Sequence, residues 1–184
     1  MNVDRAVFVG VSMGGYLAMQ LLKDYPEVCR VIILAKRRLT RDSQEARDRR
    51  SAVIENLKET GDIGPVIDAH LSLFLSGETR SSRPQLVTKL ENLMRKSTVQ
   101  GIISAQMAMA GRDNFLETVK AANIPILLLA ASDDKIIPLQ EYIDLSKTLP
   151  AAQLQIIENC GHISNLEQPE IFNQIIHEFV NELD

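Results

Sequence analysis

A serine lies between two glycines near the start of the chain, where an apolar run gives way to a helical pattern. Residues 10–14 read G-V-S-M-G, which has the form G-x-S-x-G, and they follow the short apolar run 6–11. A serine in such a strand-to-helix turn presents its hydroxyl above the sheet, and the N–H groups that begin the helix point at developing negative charge. Glycines on both sides of the serine are expected to let strand and helix approach closely. The stretch predicts Ser12 as a nucleophile and the N–H of Met13 as an oxyanion donor.

One of the three histidines has the position that a general base for this serine requires. His70 lies in a helical region in the middle of the chain, and His177 lies between the apolar positions of the last helix, where we expect it to face solvent. His162 follows the last predicted strand, in a loop, next to Gly161. A serine hydroxyl is a poor nucleophile without a base, and that base is usually a histidine oriented by a carboxylate. We therefore predict His162 as the base.

The carboxylate that orients this histidine is predicted in the loop after the third strand. A strand–turn–helix serine is typically followed along the chain by the acid and then by the histidine. The second predicted strand is followed by Lys36 and Arg37 and no carboxylate, whereas the third is followed by Asp133 and Asp134. Spacing alone does not choose between these two aspartates: one is expected to orient His162, and the other to cap the loop.

Four short apolar runs and several helical patterns predict an α/β fold with a parallel sheet. The predicted strands are 6–11, 31–35, 126–130 and 154–158, and helical patterns follow the first, third and fourth of them. The region 36–122 is helical and more polar, without a strand signal, and Thr40 is a candidate cap for its first helix. We interpret it as a cluster of helices inserted between two strands.

The composition is that of an ordinary globular protein and excludes several classes of function. The chain has 184 residues, 45% of them hydrophobic and 24% charged, with a net charge of −4. No basic block suggests a nucleic-acid partner, and no apolar run has membrane-spanning length. Arginines crowd the region 37–50, but acidic residues are interleaved with them, which indicates a solvated face of mixed charge. Two cysteines, Cys29 and Cys160, indicate buried thiols in a reducing cytoplasm rather than a disulfide framework or a metal site.

Three segments resemble signature segments of the α/β-hydrolase fold superfamily, in the expected order. They are FVGVSMGGYLAMQLLKDYPE, IPILLLAASDDKIIP and IIENCGHISNLEQPEIFNQIIHEFV, and they are most similar to the lidded esterase and enol-lactonase-like branch, which includes carbon–carbon bond hydrolases. The resemblance puts the family's catalytic aspartate at Asp134, because Ala131 and Pro138 take the flanking glycine and proline positions, and its catalytic histidine at His162. It implies a hydrolase core made of residues 1–35 and 123–184, with residues 36–122 as a helical lid.

The same resemblance implies that this chain begins at the family's fifth strand, without the strands that precede the serine turn. Residues 6–11 would then form an exposed edge strand, and the Met13 N–H would be the one oxyanion donor that remains. Three explanations stay open. Met1 is an internal start of a longer hydrolase; another chain, or a second copy pairing through the first strand, completes the sheet; or the chain is a non-catalytic binding module of hydrolase ancestry.

The function expected from these residues is hydrolysis of a carboxylic ester or a similar acyl bond of a small molecule, without metal or organic cofactor. A carbon–carbon bond or enol-lactone hydrolase would use the same three residues. Arg112 is a candidate receiver for a substrate carboxylate, although most arginines pair on the surface. Apolar residues of the inserted region could line an acyl pocket or simply pack the insertion onto the sheet; they are Leu73, Phe74, Met107 and Met109.

Overall fold

A computed structural model describes residues 4–183 and places four parallel strands in one sheet. The strands are β1 (Ala6–Val11), β2 (Cys29–Ala35), β3 (Ile126–Ala131) and β4 (Gln153–Ile157), and they lie in the order β1-β2-β3-β4. Both central strands consist almost entirely of buried apolar residues, because helices cover both faces of the sheet. The predicted α/β architecture with a parallel sheet is confirmed.

Successive residues of β2 point to opposite faces of the sheet and join different parts of the core. Ile32 and Leu34 pack with α1 (Met13–Asp24) and α8 (Leu139–Thr148). Val31 and Ile33 face the other way, toward the last helix. That helix is α10 (Pro169–Asn181), and it follows the short helix α9 (Ser164–Glu167). His177 is exposed on α10, as predicted.

Six helices lie between β2 and β3 in the chain, where the sequence predicts a helical insertion. They are α2 (Gln44–Thr60), α3 (Gly64–Phe74), α4 (Gly77–Ser82), α5 (Pro84–Met94), α6 (Val99–Ala110) and α7 (Leu116–Ala121). The expected cap at Thr40 is wrong. Ser43 caps α2 instead, because its backbone is extended and its hydroxyl accepts the Ala46 N–H at 3.2 Å. The short helices α4 and α9 were not predicted, since four to six residues carry little periodic signal.

The arginine-rich segment is not a solvated face throughout, which corrects the prediction. Arg37 and Asp42 are buried, and Asp42 forms ion pairs with Arg50 at 2.6 Å and with Arg112 at 2.7 Å. Burial opposes ionisation of Asp42, but the two arginines outweigh it and hold the pKa of this carboxyl below its usual value. Asp42 therefore joins α2 to the segment after α6.

Strand β1 forms one edge of the sheet and pairs with β2 alone among the described strands. Val9 remains 43% exposed on it, so the predicted exposed edge strand is present. Met1, on which the interpretation of the chain start depends, lies outside the described residues. Within residues 4–183, no helix combines the length and apolarity needed to cross a bilayer. Cys29 and Cys160 are both buried free thiols, as expected.

Candidate active site

Ser12 occupies a strained turn between β1 and α1. Its backbone has φ 49° and ψ −117°, a conformation that residues with a side chain rarely adopt. The Ser12 N–H donates to the Ala35 carbonyl at 2.8 Å, and the Ser12 carbonyl accepts the Gly15 N–H at 3.0 Å. These hydrogen bonds fix the turn between strand and helix, so the hydroxyl projects beyond the carboxyl end of the sheet.

The turn around Ser12 leaves no room for a side chain at Gly10 or at Gly15. A Cβ on Gly10 would lie 2.4 Å from the Gly15 Cα, and a Cβ on Gly15 would lie 2.0 Å from the Arg37 Cδ. A Cβ on Gly14 would meet no atom within 4 Å among the described residues. The expectation that glycines on both sides of Ser12 permit the close approach of strand and helix is correct for Gly10 and wrong for Gly14. Gly15 instead leaves room for the side chain of Arg37, which comes from the segment after β2.

His162 connects Ser12 to Asp134 through its two ring nitrogens. Nε2 lies 2.7 Å from Ser12 Oγ, and Nδ1 lies 2.8 Å from Asp134 Oδ2. A carboxylate can only accept, so Nδ1 carries the proton and Nε2 accepts the Ser12 hydroxyl. The histidine is 1% exposed, which shields this chain of hydrogen bonds from competing water. The arrangement can take a proton from Ser12 and return it to a leaving group.

The second aspartate oxygen is fixed by the loop that carries it. Asp134 Oδ1 accepts the N–H groups of Ile136 and Ile137 at 2.8 and 2.9 Å, and the residue is buried. Asp133 is exposed, and its N–H donates to the Cys160 carbonyl at 2.9 Å. Of the two aspartates left open by spacing, the structure therefore brings Asp134 to His162 and leaves Asp133 at the loop surface.

Met13 begins α1 immediately after Ser12 and lines a cavity of about 610 Å³ between α1 and α6. As the first helical residue it has no carbonyl one turn earlier in the helix to which its N–H could bind, so this N–H is available to an oxyanion. The cavity walls are mainly apolar or small; they include Tyr16, Leu17, Gly101, Ala105, Ala108, Met109 and Phe115.

Arg112 is the cationic side chain among the described residues that line this cavity, and protein groups already bind it. Its guanidinium donates to the Thr40 and Met109 carbonyls, forms the ion pair with Asp42, and lies 4.4 Å from the centre of the Tyr16 ring. The side chain is 4% exposed. The structure thus places Arg112 in the scaffold that supports the cavity, rather than free to receive a substrate carboxylate.

Two buried basic residues lie directly after β2, behind the site, and sequence reasoning gave them no role. Lys36 is 1% exposed, and its ammonium donates to the Leu129 carbonyl at 3.3 Å. Burial lowers the pKa of Lys36 to about 8. Arg37 lies 3.9 Å above the Tyr16 ring, and its side-chain nitrogens have no hydrogen-bond acceptor among residues 4–183. Burial lowers the pKa of Arg37 to about 10.

Two other residues near His162 were missed or assigned differently from sequence. Glu167 was given no role from the sequence, where it is only one residue of the segment that resembles the family's histidine segment. In the structure it is buried. Phe74, considered above as a pocket-lining residue, stacks on the His162 ring. The remaining apolar residues of that group are Leu73, Met107 and Met109, and the first two are exposed. Of these, Met109 lines the cavity.

Comparison with known proteins identifies the same fold. A family model described as alpha/beta hydrolase fold matches residues 1–169. The chain is 23% identical to a 2-hydroxy-6-oxononadienedioate/2-hydroxy-6-oxononatrienedioate hydrolase from a Pseudomonas species and 24% identical to 3-oxoadipate enol-lactonase 2 from Acinetobacter baylyi. These alignments cover 98% and 96% of this chain, and 64% of each relative.

A solved structure of a thermophilic esterase from Thermogutta terrifontis is 28% identical and superposes with a TM-score of 0.92, over 97% of this chain and 65% of the esterase chain. The chain therefore spans about two thirds of the length of the proteins that it matches.

Proposed function

The chain belongs to the alpha/beta hydrolase fold family, and on that premise we propose that it is a serine hydrolase cleaving a neutral carboxylic ester or a similar acyl bond. The observation that carries this proposal is the continuous chain of hydrogen bonds from Ser12 through His162 to Asp134, at 2.7 and 2.8 Å. Family membership alone would not be enough, because one fold hosts many chemistries.

In the proposed reaction, Ser12 Oγ attacks the substrate carbonyl carbon while His162 Nε2 takes the hydroxyl proton. Asp134 holds the imidazole in orientation and stabilises its protonated form. The Met13 N–H stabilises the oxyanion of the tetrahedral intermediate. When the intermediate collapses, His162 returns the proton to the leaving alcohol and an acyl-enzyme remains on Ser12. Water, deprotonated by His162, then attacks the acyl carbon, which releases the acid and restores the serine.

The cavity beside Met13 supports a neutral substrate. Its walls are mainly apolar, and Arg112 is already bound by Asp42, Thr40 and Met109. Burying a substrate carboxylate without a free cationic partner would be unfavourable. An alkyl or acyl group would instead gain from leaving water. The cavity therefore favours an uncharged ester over a dicarboxylate.

A carbon–carbon bond or enol-lactone hydrolase is the second candidate, because one relative is named an oxononadienedioate hydrolase and another an enol-lactonase. The nonadienedioate in the name of the Pseudomonas relative carries two carboxylates. In the cavity beside Met13, the cationic side chain of Arg112 is already paired with Asp42 and is not free to bind them. A third candidate, a binding module without turnover, has the same geometry but would not need a reactive serine. Turnover separates this candidate from the two enzymatic ones.

Hydrolysis of p-nitrophenyl butyrate by the purified chain tests the proposal, with Ser12→Ala beside it. We expect measurable turnover that Ser12→Ala reduces by roughly 10⁴- to 10⁶-fold, as in other enzymes with this arrangement. Ser97→Ala is the matched control, since Ser97 is exposed in the loop after α5. Equal rates for Ser12→Ala and the parent chain would disprove the mechanism. No turnover by a parent chain that circular dichroism shows to be folded would favour the binding module.

A further inference from the structure

The loop that carries His162 is attached to the junction between α3 and α4 in the helical insertion. Phe74 ends α3, and its ring stacks on the His162 imidazole, with centroids 5.5 Å apart and planes inclined by 20°. The Phe74 carbonyl also accepts the N–H of Ile163 at 3.2 Å. One residue of the insertion thus contacts both the side chain of position 162 and the main chain of position 163.

Glu167 holds the same two segments together from the other side. Its Oε1 accepts the Gly161 N–H at 2.8 Å, and its Oε2 accepts the Ser76 N–H at 3.0 Å. The Glu167 carboxylate therefore bridges the residue just before His162 and the residue two positions after Phe74. Glu167 is 2% exposed, so these hydrogen bonds do not compete with bulk water.

The contact between the histidine loop and the α3–α4 junction requires that residue 161 has no side chain. A Cβ at position 161 would lie 2.6 Å from the Ser76 nitrogen, 2.7 Å from Glu167 Oε1 and 2.8 Å from the Leu75 carbonyl carbon. Two of these three atoms belong to the backbone, which cannot move aside as a flexible side chain would. The histidine loop and the α3–α4 junction are therefore packed too closely to admit a side chain at position 161.

These contacts leave the His162 ring little freedom to rotate. Asp134 fixes the Nδ1 edge of the ring, and Phe74 covers one face of it. His70 in turn contacts the Phe74 ring edge-on, with centroids 5.1 Å apart. Resting on the proposed function, we propose that Phe74 is a positioning residue for His162, held in place by the Glu167 bridge, and that it keeps Nε2 directed at Ser12 through the reaction. The α3–α4 junction is then a fixed attachment of the insertion rather than a part that opens.

Phe74→Leu removes the ring face while keeping an apolar side chain, and Phe74→Tyr keeps the ring. We expect kcat to fall roughly 10- to 100-fold in Phe74→Leu, with KM within about twofold, because misdirecting a catalytic group affects the transition state more than substrate binding. Phe74→Tyr should recover most of the loss. Leu90→Ala is the control, since Leu90 belongs to the same apolar cluster as Phe74 and truncation there lowers stability without removing the ring.

A second measurement reads the position of the histidine without turnover. The proton on His162 Nδ1, which is hydrogen-bonded to Asp134, should give a downfield proton resonance in the parent chain, in Phe74→Tyr and in Leu90→Ala. Phe74→Leu should lose or broaden it through exchange with water. The proposal is overturned if Phe74→Leu keeps both kcat and this resonance, or if its KM rises while kcat stays unchanged, which would make Phe74 a substrate contact. If the parent chain does not hydrolyse esters, the proposed function fails and the resonance alone decides the positioning role.

Discussion

Asp134 directs one carboxylate oxygen at His162 Nδ1, 2.8 Å away, while backbone N–H groups of its own loop hold the other oxygen. The backbone hydrogen bonds therefore fix the plane of the carboxylate independently of its hydrogen bond to His162. An amide in place of the carboxylate could keep the backbone hydrogen bonds, but its NH₂ group would face Nδ1. His162 would then have to carry its proton on Nε2, where it could no longer accept the Ser12 hydroxyl.

We therefore predict that Asp134→Asn lowers kcat by about 10⁴-fold without unfolding the chain. Asp133→Asn is the matched control and should stay within about twofold of the parent, because the Asp133 side chain is exposed. Steady-state hydrolysis and circular dichroism of both variants check the prediction. A large loss in Asp133→Asn with none in Asp134→Asn would reverse the assignment.

The two glycines on either side of Ser12 should respond oppositely to alanine. Gly10→Ala forces a Cβ to within 2.4 Å of the Gly15 backbone, and we expect it to lower the free energy of unfolding by about 1–3 kcal/mol or more. Gly14→Ala meets open space in a helix, so it should raise that free energy by about 0.5–1 kcal/mol. Urea denaturation of the two variants measures both values, and similar destabilisation by both would contradict the packing described for the turn.

Lys36 should make the stability of the chain depend on pH between about 8 and 10.5. Because burial lowers its pKa in the folded state, the unfolded chain binds more protons in this range and the free energy of unfolding rises with pH. Below pH 8 both states are protonated and the full cost of burying the charge remains. Lys36→Met should therefore be more stable than the parent below that pH, by up to about 3 kcal/mol.

The advantage of Lys36→Met should disappear as the pH approaches 10.5. Urea denaturation at a series of pH values gives the free energy of unfolding of Lys36→Met and of the parent chain. Subtracting one profile from the other removes the contributions of other groups that titrate in this range. Both residues have a Cβ, so the positive φ of 58° at this position is equally strained in each. Parallel profiles for the two proteins would show that the ammonium is not buried as described.

Substrate charge should decide reactivity at the cavity beside Met13. We expect kcat/KM for p-nitrophenyl pentanoate to exceed that for p-nitrophenyl hemisuccinate by at least about tenfold, because the carboxylate of the latter finds no free cation. Both esters have the same leaving group, so the ratio reports acyl binding. A preference for the hemisuccinate would favour the lactonase-like alternative and would mean that Arg112 exchanges Asp42 for substrate.

Much of the fold follows from local patterns along the chain. The four apolar runs and the turns after them have clear local signals, and they predict every strand boundary to within two residues, and all but one to within one residue. Ser12, Asp134 and His162 lie in loops at the carboxyl ends of β1, β3 and β4, and parallel strands bring such loops to one edge of the sheet. That is why residues as far apart as 12 and 162 could be associated before the structure was known.

Features that depend on packing between distant segments had no local signal. Glu167 binds the N–H of Ser76, 91 positions away, and nothing in either segment indicates the pairing. Arg37 lies in a charged segment typical of solvent, yet it is buried against Tyr16 because Gly15 leaves room for its side chain. The open space beside Gly14 likewise depends on how the folded segments surround it. The motif alone suggests that Gly10 and Gly14 are both needed.

Covalent labelling with a fluorophosphonate tests the central claim, a reactive Ser12, most directly. We predict that the folded chain gains the mass of one phosphonyl group, that peptide mapping places it on Ser12, and that His162→Gln slows the labelling by orders of magnitude because the hydroxyl loses its base. A folded chain that stays unlabelled, or that is labelled equally fast in Ser12→Ala, would show that the hydrogen bonds among Ser12, His162 and Asp134 do not make a nucleophile.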